Sequence, residues 1–229
     1  MSDKTPTTTP ERRAYADRAA LEALAIARAK LSRALPYFTV ASEALRPLAV
    51  PGLGTLAVSA SGVCLYDPES VLGDRFAPHL SGVWLHELLH LYLAHHARAE
   101  SVRGREGGAF DAYLWNLAAD IEVNRNVVQC GLTLPEGVVF ADQFGFPSDI
   151  RAEAAYDLLR KQAEAEAKAK AEAKAKAKAK AKAEAAEGAE GEGEGEGAEG
   201  EGAEGEGAEG EGAEGEGEGE GEEIGRAHV

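Results

Sequence analysis

Apolar positions recur every three or four residues at Leu21, Leu24, Ala27, Leu31 and Leu35, which predicts an amphipathic helix from Pro10 to about Ala34. Pro10 sits just inside its start and Pro36 ends it. A short helix is expected around Val40 to Leu45. The period then changes to two: Leu56, Val58 and Ala60 alternate with Thr55, Ala57 and Ser59, Ser61-Gly62 supplies a turn, and Val63 to Tyr66 resumes extended sequence. That is the pattern of a β-hairpin. From Leu80 to about Arg98 the chain is so apolar that it predicts one buried helix, followed by a polar loop from Arg103 to Gly108. A second helix is expected from about Ala109 to Gln129, with Gly131 in the place a C-cap prefers. Leu134-Pro135-Glu136-Gly137 reads as a turn. Ser148 or Asp149 is expected to cap a last helix carrying Ala152, Tyr156 and Leu159.

The chain changes character near residue 160. Residues 161–229 hold 8 Lys and 1 Arg against 21 Glu, together with 16 of the 27 glycines, and no Trp, Tyr, Phe or Leu. A stretch so charged and so poor in apolar side chains cannot build a core. Residues 1–10 are therefore expected to be a disordered start, and residues 11–160 a single domain. Residues 161–186 should extend the last helix, where Glu164 and Lys168, then Glu166 and Lys170, pair at four-residue spacing. Alternating lysines from Lys174 to Lys182 should weaken it. Residues 187–222, alternating Glu and Gly, read as a disordered linker. Glu223-Ile224-Gly225-Arg226-Ala227-His228-Val229 breaks that repeat and resembles the translation of a common short-read sequencing adapter. The natural frame is expected to continue past Glu222.

The charge of -16 belongs mostly to the tail. Residues 1–160 carry 15 Lys plus Arg against 19 Asp plus Glu, so the domain offers no basic footprint for nucleic acid or an anionic membrane. Residues Pro47 to Tyr66 are uncharged throughout, but Pro47, Pro51, Gly52, Gly54 and Gly62 make that run strand and turn, not a membrane helix. Cys64 and Cys130 form no CxxC, and the polar start from Met1 to Pro6 has no apolar targeting stretch. A reducing cytoplasm fits both.

The chemistry lies in Val83-Trp84-Leu85-His86-Glu87-Leu88-Leu89-His90-Leu91-Tyr92, an HExxH on a helix. Histidines four residues apart project within about 40° of one another, so both imidazoles can reach one metal ion, with Glu87 beside them. Zinc bound by neutral imidazoles keeps a position open for water, lowers that water's pKa and polarises a carbonyl, while the carboxylate moves the proton. Burying Glu87 in so apolar a helix with no metal or cation near it would cost several kcal/mol.

A third protein ligand is needed. His96 follows His86 by ten residues, the spacing of the longer HExxHxxGxxH motif of metzincins, but Leu93 stands at the glycine position and leaves the helix unbroken. On such a helix His96 points about 120° away from His90. His95 and His96 then read as polar residues near a helix C-terminus. Asn116, Asp120 and Asn124 form a four-residue polar stripe on the second helix. Asp120 is the candidate third ligand. Asn124, and Asn116 on the other side, could support it, Asn124 by orienting a histidine or the aspartate. Glu122 lies about 200° from Asp120 and is expected to be a solvated charge.

At these residues the sequence resembles a metallopeptidase domain of bacterial proteins that carry a C-terminal von Willebrand factor A-like domain. The resemblance spans roughly residues 12 to 160. It rests on Pro36-Tyr37-Phe38, Gly54-Thr55-Leu56-Ala57-Val58 and Leu65-Tyr66-Asp67-Pro68-Glu69, then on His86-Glu87-Leu88-Leu89-His90 followed by His95. It continues with Leu114-Trp115-Asn116-Leu117-Ala118-Ala119-Asp120, Gly131-Leu132-Thr133-Leu134-Pro135 and Ala155-Tyr156-Asp157-Leu158-Leu159. Ala94 stands where that group usually has glycine, a departure expected to leave the metal site alone. The resemblance implies a zincin-like fold and an association with MoxR-type AAA ATPases. No DxSxS motif of a von Willebrand factor A-like domain occurs in the chain.

Together these readings predict a mostly helical α+β, zincin-like domain with a small β-hairpin or sheet, followed by a low-complexity tail. The expected function is zinc-dependent hydrolysis of a peptide or protein substrate, with Zn2+ on His86, His90 and Asp120 and Glu87 as general base. Tyr92 and Tyr113 are oxyanion candidates by residue type alone. The alternative is an inert zinc-containing interaction module of an ATPase and von Willebrand factor A-like assembly.

Overall fold

The computed structural model describes residues 10–187. The expected polar start before Pro10, the linker beyond Glu187 and the adapter-like end lie outside the described residues. Internal contacts divide the chain into one unit that ends at Lys161 and another that begins at Gln162. Among the described residues no helix is long and apolar enough to cross a membrane.

Helix α1 runs from Pro10 to Ala34 and buries Ala20, Leu24, Ala27 and Leu31 against α3 (Pro68–Leu72) and α4 (Leu80–Tyr92). The buried stripe is set by Ala20; Leu21, expected in the core, is 43% exposed. Pro36 stops α1 as expected, and α2 (Thr39–Ala44) follows a single 3-10 turn. Ser42 of α2 is fully buried and accepts a hydrogen bond from the indole N–H of Trp84 at 3.0 Å.

The predicted hairpin is present: β2 (Leu56–Val58) pairs antiparallel with β3 (Val63–Tyr66), with Leu56 opposite Tyr66 and Val58 opposite Cys64. The hairpin is part of a three-stranded sheet of order β1-β3-β2, because β1 (Arg46–Ala49) adds a parallel partner to β3. Pro47 is tolerated in β1 because an edge strand can leave one face of its backbone unpaired. Asp67 closes the sheet onto α3. Its carboxylate accepts from the backbone N–H groups of Gly54 and Glu69 and from the Ser70 hydroxyl, so it caps the helix and pins the preceding loop.

The helix expected from Leu80 to Arg98 is two helices. Helix α4 ends at Tyr92, Ala94 takes the left-handed conformation at φ 55°, and α5 begins at His95 and runs to Glu106. The loop expected from Arg103 to Gly108 is therefore mostly helix. Val102 is buried, and Glu106 binds Arg160 and the Tyr156 hydroxyl, so tertiary contacts hold a turn whose glycines alone would not. Helix α6 (Ala112–Gln129) starts at Asp111, whose side chain accepts from Leu114 N–H, and ends before Gly131 at φ 77°. Helix α7 (Ala152–Glu187) carries the predicted Glu166 and Lys170 pair at 3.7 Å.

Two apolar clusters flank α6. One contains Val123 and Val127 with the faces of α1, α4 and the sheet; the other contains Trp115, Ala118, Ala119 and Ile121 with Tyr156 and Leu159 of α7. Helix α6 is thus a shared wall, buried on more than one side. It approaches α4 closely, and a loop approaches even nearer: a Cβ added at Gly82 would lie 2.0 Å from the carbonyl oxygen of Thr133. Gly82→Ala must push that backbone away, and we expect it to lower unfolding stability by about 1–3 kcal/mol in denaturant titration. An unchanged midpoint would show that the loop yields freely.

Candidate metal centre

Helix α4 carries His86 and His90 one turn apart, and α6 brings Asp120 to them. The Nε2 atoms of the two histidines are 2.9 Å apart, and Asp120 Oδ1 lies 3.5 Å from His86 Nε2 and 3.2 Å from His90 Nε2. Among the described residues this is the one group of three potential ligands whose donor atoms all converge, within 4.8 Å. A tetrahedral ion with bonds of about 2.0–2.1 Å holds neighbouring donors about 3.3 Å apart. The three separations bracket that value. Two imidazoles and a carboxylate are a donor set that suits zinc and other first-row divalent ions such as iron(II).

Asn124, one turn beyond Asp120, decides how His86 is presented. Its amide nitrogen donates to the Val139 carbonyl at 3.0 Å, which turns its oxygen toward His86 Nδ1 at 2.8 Å. An amide oxygen only accepts, so Nδ1 carries the proton and Nε2 faces the cluster. Of the two supports expected from the polar stripe, Asn124 therefore touches His86. Asn116 is half-buried and makes no hydrogen bond to either histidine.

Electrostatics at the cluster are those of a site shaped around positive charge. Burial opposes a charge on His86, but Asp120, Glu87 and Asn124 outweigh it and raise its pKa. Burial pushes His90 down to about 4, so that ring is neutral at ordinary pH. Burial would raise Asp120, yet the two histidines whose Nε2 atoms face it hold its carboxyl well below the usual range. Glu87 is different. It is buried, neither carboxylate oxygen makes a hydrogen bond of normal geometry, and burial drives its pKa up to about 7 against the smaller opposing pull of His86. A buried carboxylate with no partner is a group awaiting a cation or a proton.

Two residues beside the cluster depart from expectation. His95 is not a solvated residue at a helix end: it is 2% exposed, with Nδ1 3.1 Å from His90 Nδ1 and Nε2 3.4 Å from Glu122 Oε2. Neither is Glu122 a solvated charge. It is 2% exposed and takes bonds from Arg98 at 2.9 Å, Arg151 at 3.1 Å and the backbone N–H of Ala152 at 2.8 Å. That last bond caps α7 in place of Ser148 or Asp149. Burial would raise its pKa, but the hydrogen bond from His95, followed by those from Ala152 and Arg98, outweighs it and lowers the pKa to about 2. Helical projection misplaced Glu122 because α6 has a core on each side. His96 is half-buried on α5, and the converging donors do not include it. Tyr92 and Tyr113 are both exposed.

The glycine that the resembled group has at position 94 now has a reason. A left-handed residue at this point turns α5 so that its first side chain faces His90, and alanine adopts that conformation under strain of about 1–2 kcal/mol. Ala94 is therefore adjacent to the site's architecture, not remote from it. Ala94→Gly relieves the strain but adds freedom to the unfolded chain, leaving a net gain of up to about 1 kcal/mol. Chemical unfolding of the two proteins checks this, and a destabilised variant would be the contrary result.

Residues 20–226 match the family model described as Putative metallopeptidase domain. No curated protein and no solved structure matches the chain.

Proposed function

The chain belongs to that metallopeptidase-domain family, and on this premise we propose that it hydrolyses peptide bonds, with zinc on His86, His90 and Asp120 and with Glu87 as general base. The observation that carries the reading is Glu87: fully buried, unpartnered, and next in sequence to a converging His, His and Asp triad. Zinc, when bound there, supplies a Lewis acid that activates water and polarises the scissile carbonyl. Asn124 holds His86 by Nδ1, which commits Nε2 to the site. Glu87 receives the water's proton on a carboxylate oxygen and returns it to the leaving amine nitrogen. Burial raises its pKa in the metal-free chain, and a cation bound beside it would favour the ionised carboxylate that accepts the proton.

Peptide or protein is the substrate class this reading takes. A MoxR-type ATPase and a von Willebrand factor A-like domain are the partners it carries over from the resemblance, and the cytoplasm is the compartment. A purely structural zinc site has no need of a buried free carboxylate, which tells against the inert interaction module.

Metal analysis of the purified chain together with a mixed peptide library tests the proposal. One zinc per chain is expected, with hydrolysis lost on chelation and restored by zinc. Full activity after complete metal removal would overturn it.

A further inference from the structure

Beyond the ligands and the base, we propose that His95 and Glu122 are positioning residues that fix the tautomer of His90. This inference rests on the metal reading above but is argued from hydrogen bonds alone.

The chain of reasoning starts at Glu122. Its carboxylate is acceptor-only and is held from several directions: Oε2 accepts from Arg98 and from the backbone N–H of Ala152, and Oε1 faces Arg151. From α5, besides Arg98, His95 Nε2 faces it at 3.4 Å and must carry a proton. In a neutral ring that leaves His95 Nδ1 as an acceptor. The atom against it is His90 Nδ1 at 3.1 Å, which must donate. His90 then carries its proton on Nδ1, and its Nε2 lone pair faces His86 Nε2 and Asp120 Oδ1. Each step follows from the one before for a neutral His95 ring, and the two acceptors it leaves facing one another, His90 Nε2 and Asp120 Oδ1, are matched by a cation or by a proton on His86 Nε2, 2.9 Å from His90 Nε2. The two metal-binding histidines are thus oriented by different devices: His86 by an amide whose far end is tied to the Val139 carbonyl, and His90 by a second histidine tied to a buried carboxylate.

The geometry also explains why the helix must break. On a continuous helix His95 would lie about 140° from His90 and could not reach its ring. The left-handed Ala94 restarts the helix so that the first residue of α5 turns inward, where it packs edge-on near Trp115 with ring centroids 6.5 Å apart.

The test reads the tautomers first. In metal-free wild type labelled with 15N-histidine, long-range proton–nitrogen correlation at neutral pH should show His90 protonated on Nδ1 and His95 on Nε2. His90 protonated on Nε2 alone would overturn the proposal. Zinc affinity is then measured by competition with a chromophoric chelator. His95→Phe, which keeps an aromatic ring but offers no acceptor, should bind zinc about 10- to 100-fold more weakly. His95→Asn keeps an acceptor at the Nδ1 position and should recover most of that loss. Equal affinity of His95→Phe and wild type would overturn the proposal. Because the tautomers are read without metal, failure of wild type to take up zinc would sink the metal reading alone, while the tautomers would still decide the relay.

Discussion

Replacing Glu87 by Gln should leave zinc bound and the fold intact while peptide hydrolysis falls by about 10²- to 10⁴-fold, the contribution typical of a positioned general base. The substitution keeps shape and volume and removes the proton acceptor. It also removes a strained charge. With its pKa at about 7 in the metal-free chain against about 4.5 in the unfolded one, Glu87 holds its proton more tightly when folded. The sign follows: wild-type metal-free stability falls as pH rises from about 4.5 to about 7, by roughly 3 kcal/mol at 1.36 kcal/mol per pKa unit. Glu87→Gln escapes that loss, so the metal-free variant should be more stable than wild type at pH 8, with the gap closing toward pH 4. Paired rate and unfolding measurements separate the two effects. Rates that agree between the variant and wild type would remove Glu87 from the chemistry, and a variant that is less stable at pH 8 would contradict its burial without a partner.

What was legible in the sequence was what depends on near neighbours. The start of α4 at Leu80, the hairpin around Ser61-Gly62 and the end of α6 before Gly131 follow from periodicity and turn chemistry, and the structure has all three. The HExxH spacing placed His86 and His90 together, and the four-residue stripe brought Asp120 and Asn124 to them. Three features were not legible. The parallel pairing of β1 with β3 joins Arg46 to Val63 past the intervening strand β2 and has no local signature. The break at Ala94 hides because alanine is an ordinary helix residue and seldom signals positive φ; the one clue was glycine at this position in the resembled group. Glu122 hides because a single helical projection assumes one buried face, whereas α6 stands between two cores and buries Glu122 together with Asp120.

The ligand set is the second large effect, and Asp120 carries it. Aspartate is a methylene shorter than glutamate, so α6 must pack tightly on α4 for its carboxylate to arrive. The small residues beside it permit this: Ala118 and Ala119 are buried, and Asp120 Oδ1 reaches within 3.5 Å of both histidines. Asp120→Ala removes the proposed anionic ligand and also the group that offsets positive charge at His86. It is expected to lower zinc affinity at least as much as His90→Ala. Asn124→Ala leaves the ligands in place but frees His86 to rotate and change tautomer, which should weaken binding by about 10- to 100-fold. His96→Ala should change affinity little, since His96 is not one of the converging donors. Chelator competition on the four variants, with unfolding of each metal-free protein to separate ligand loss from collapse, ranks them directly. Loss of metal in His96→Ala with retention in Asp120→Ala would move the third ligand from α6 to α5 and would require α5 to sit differently against α4.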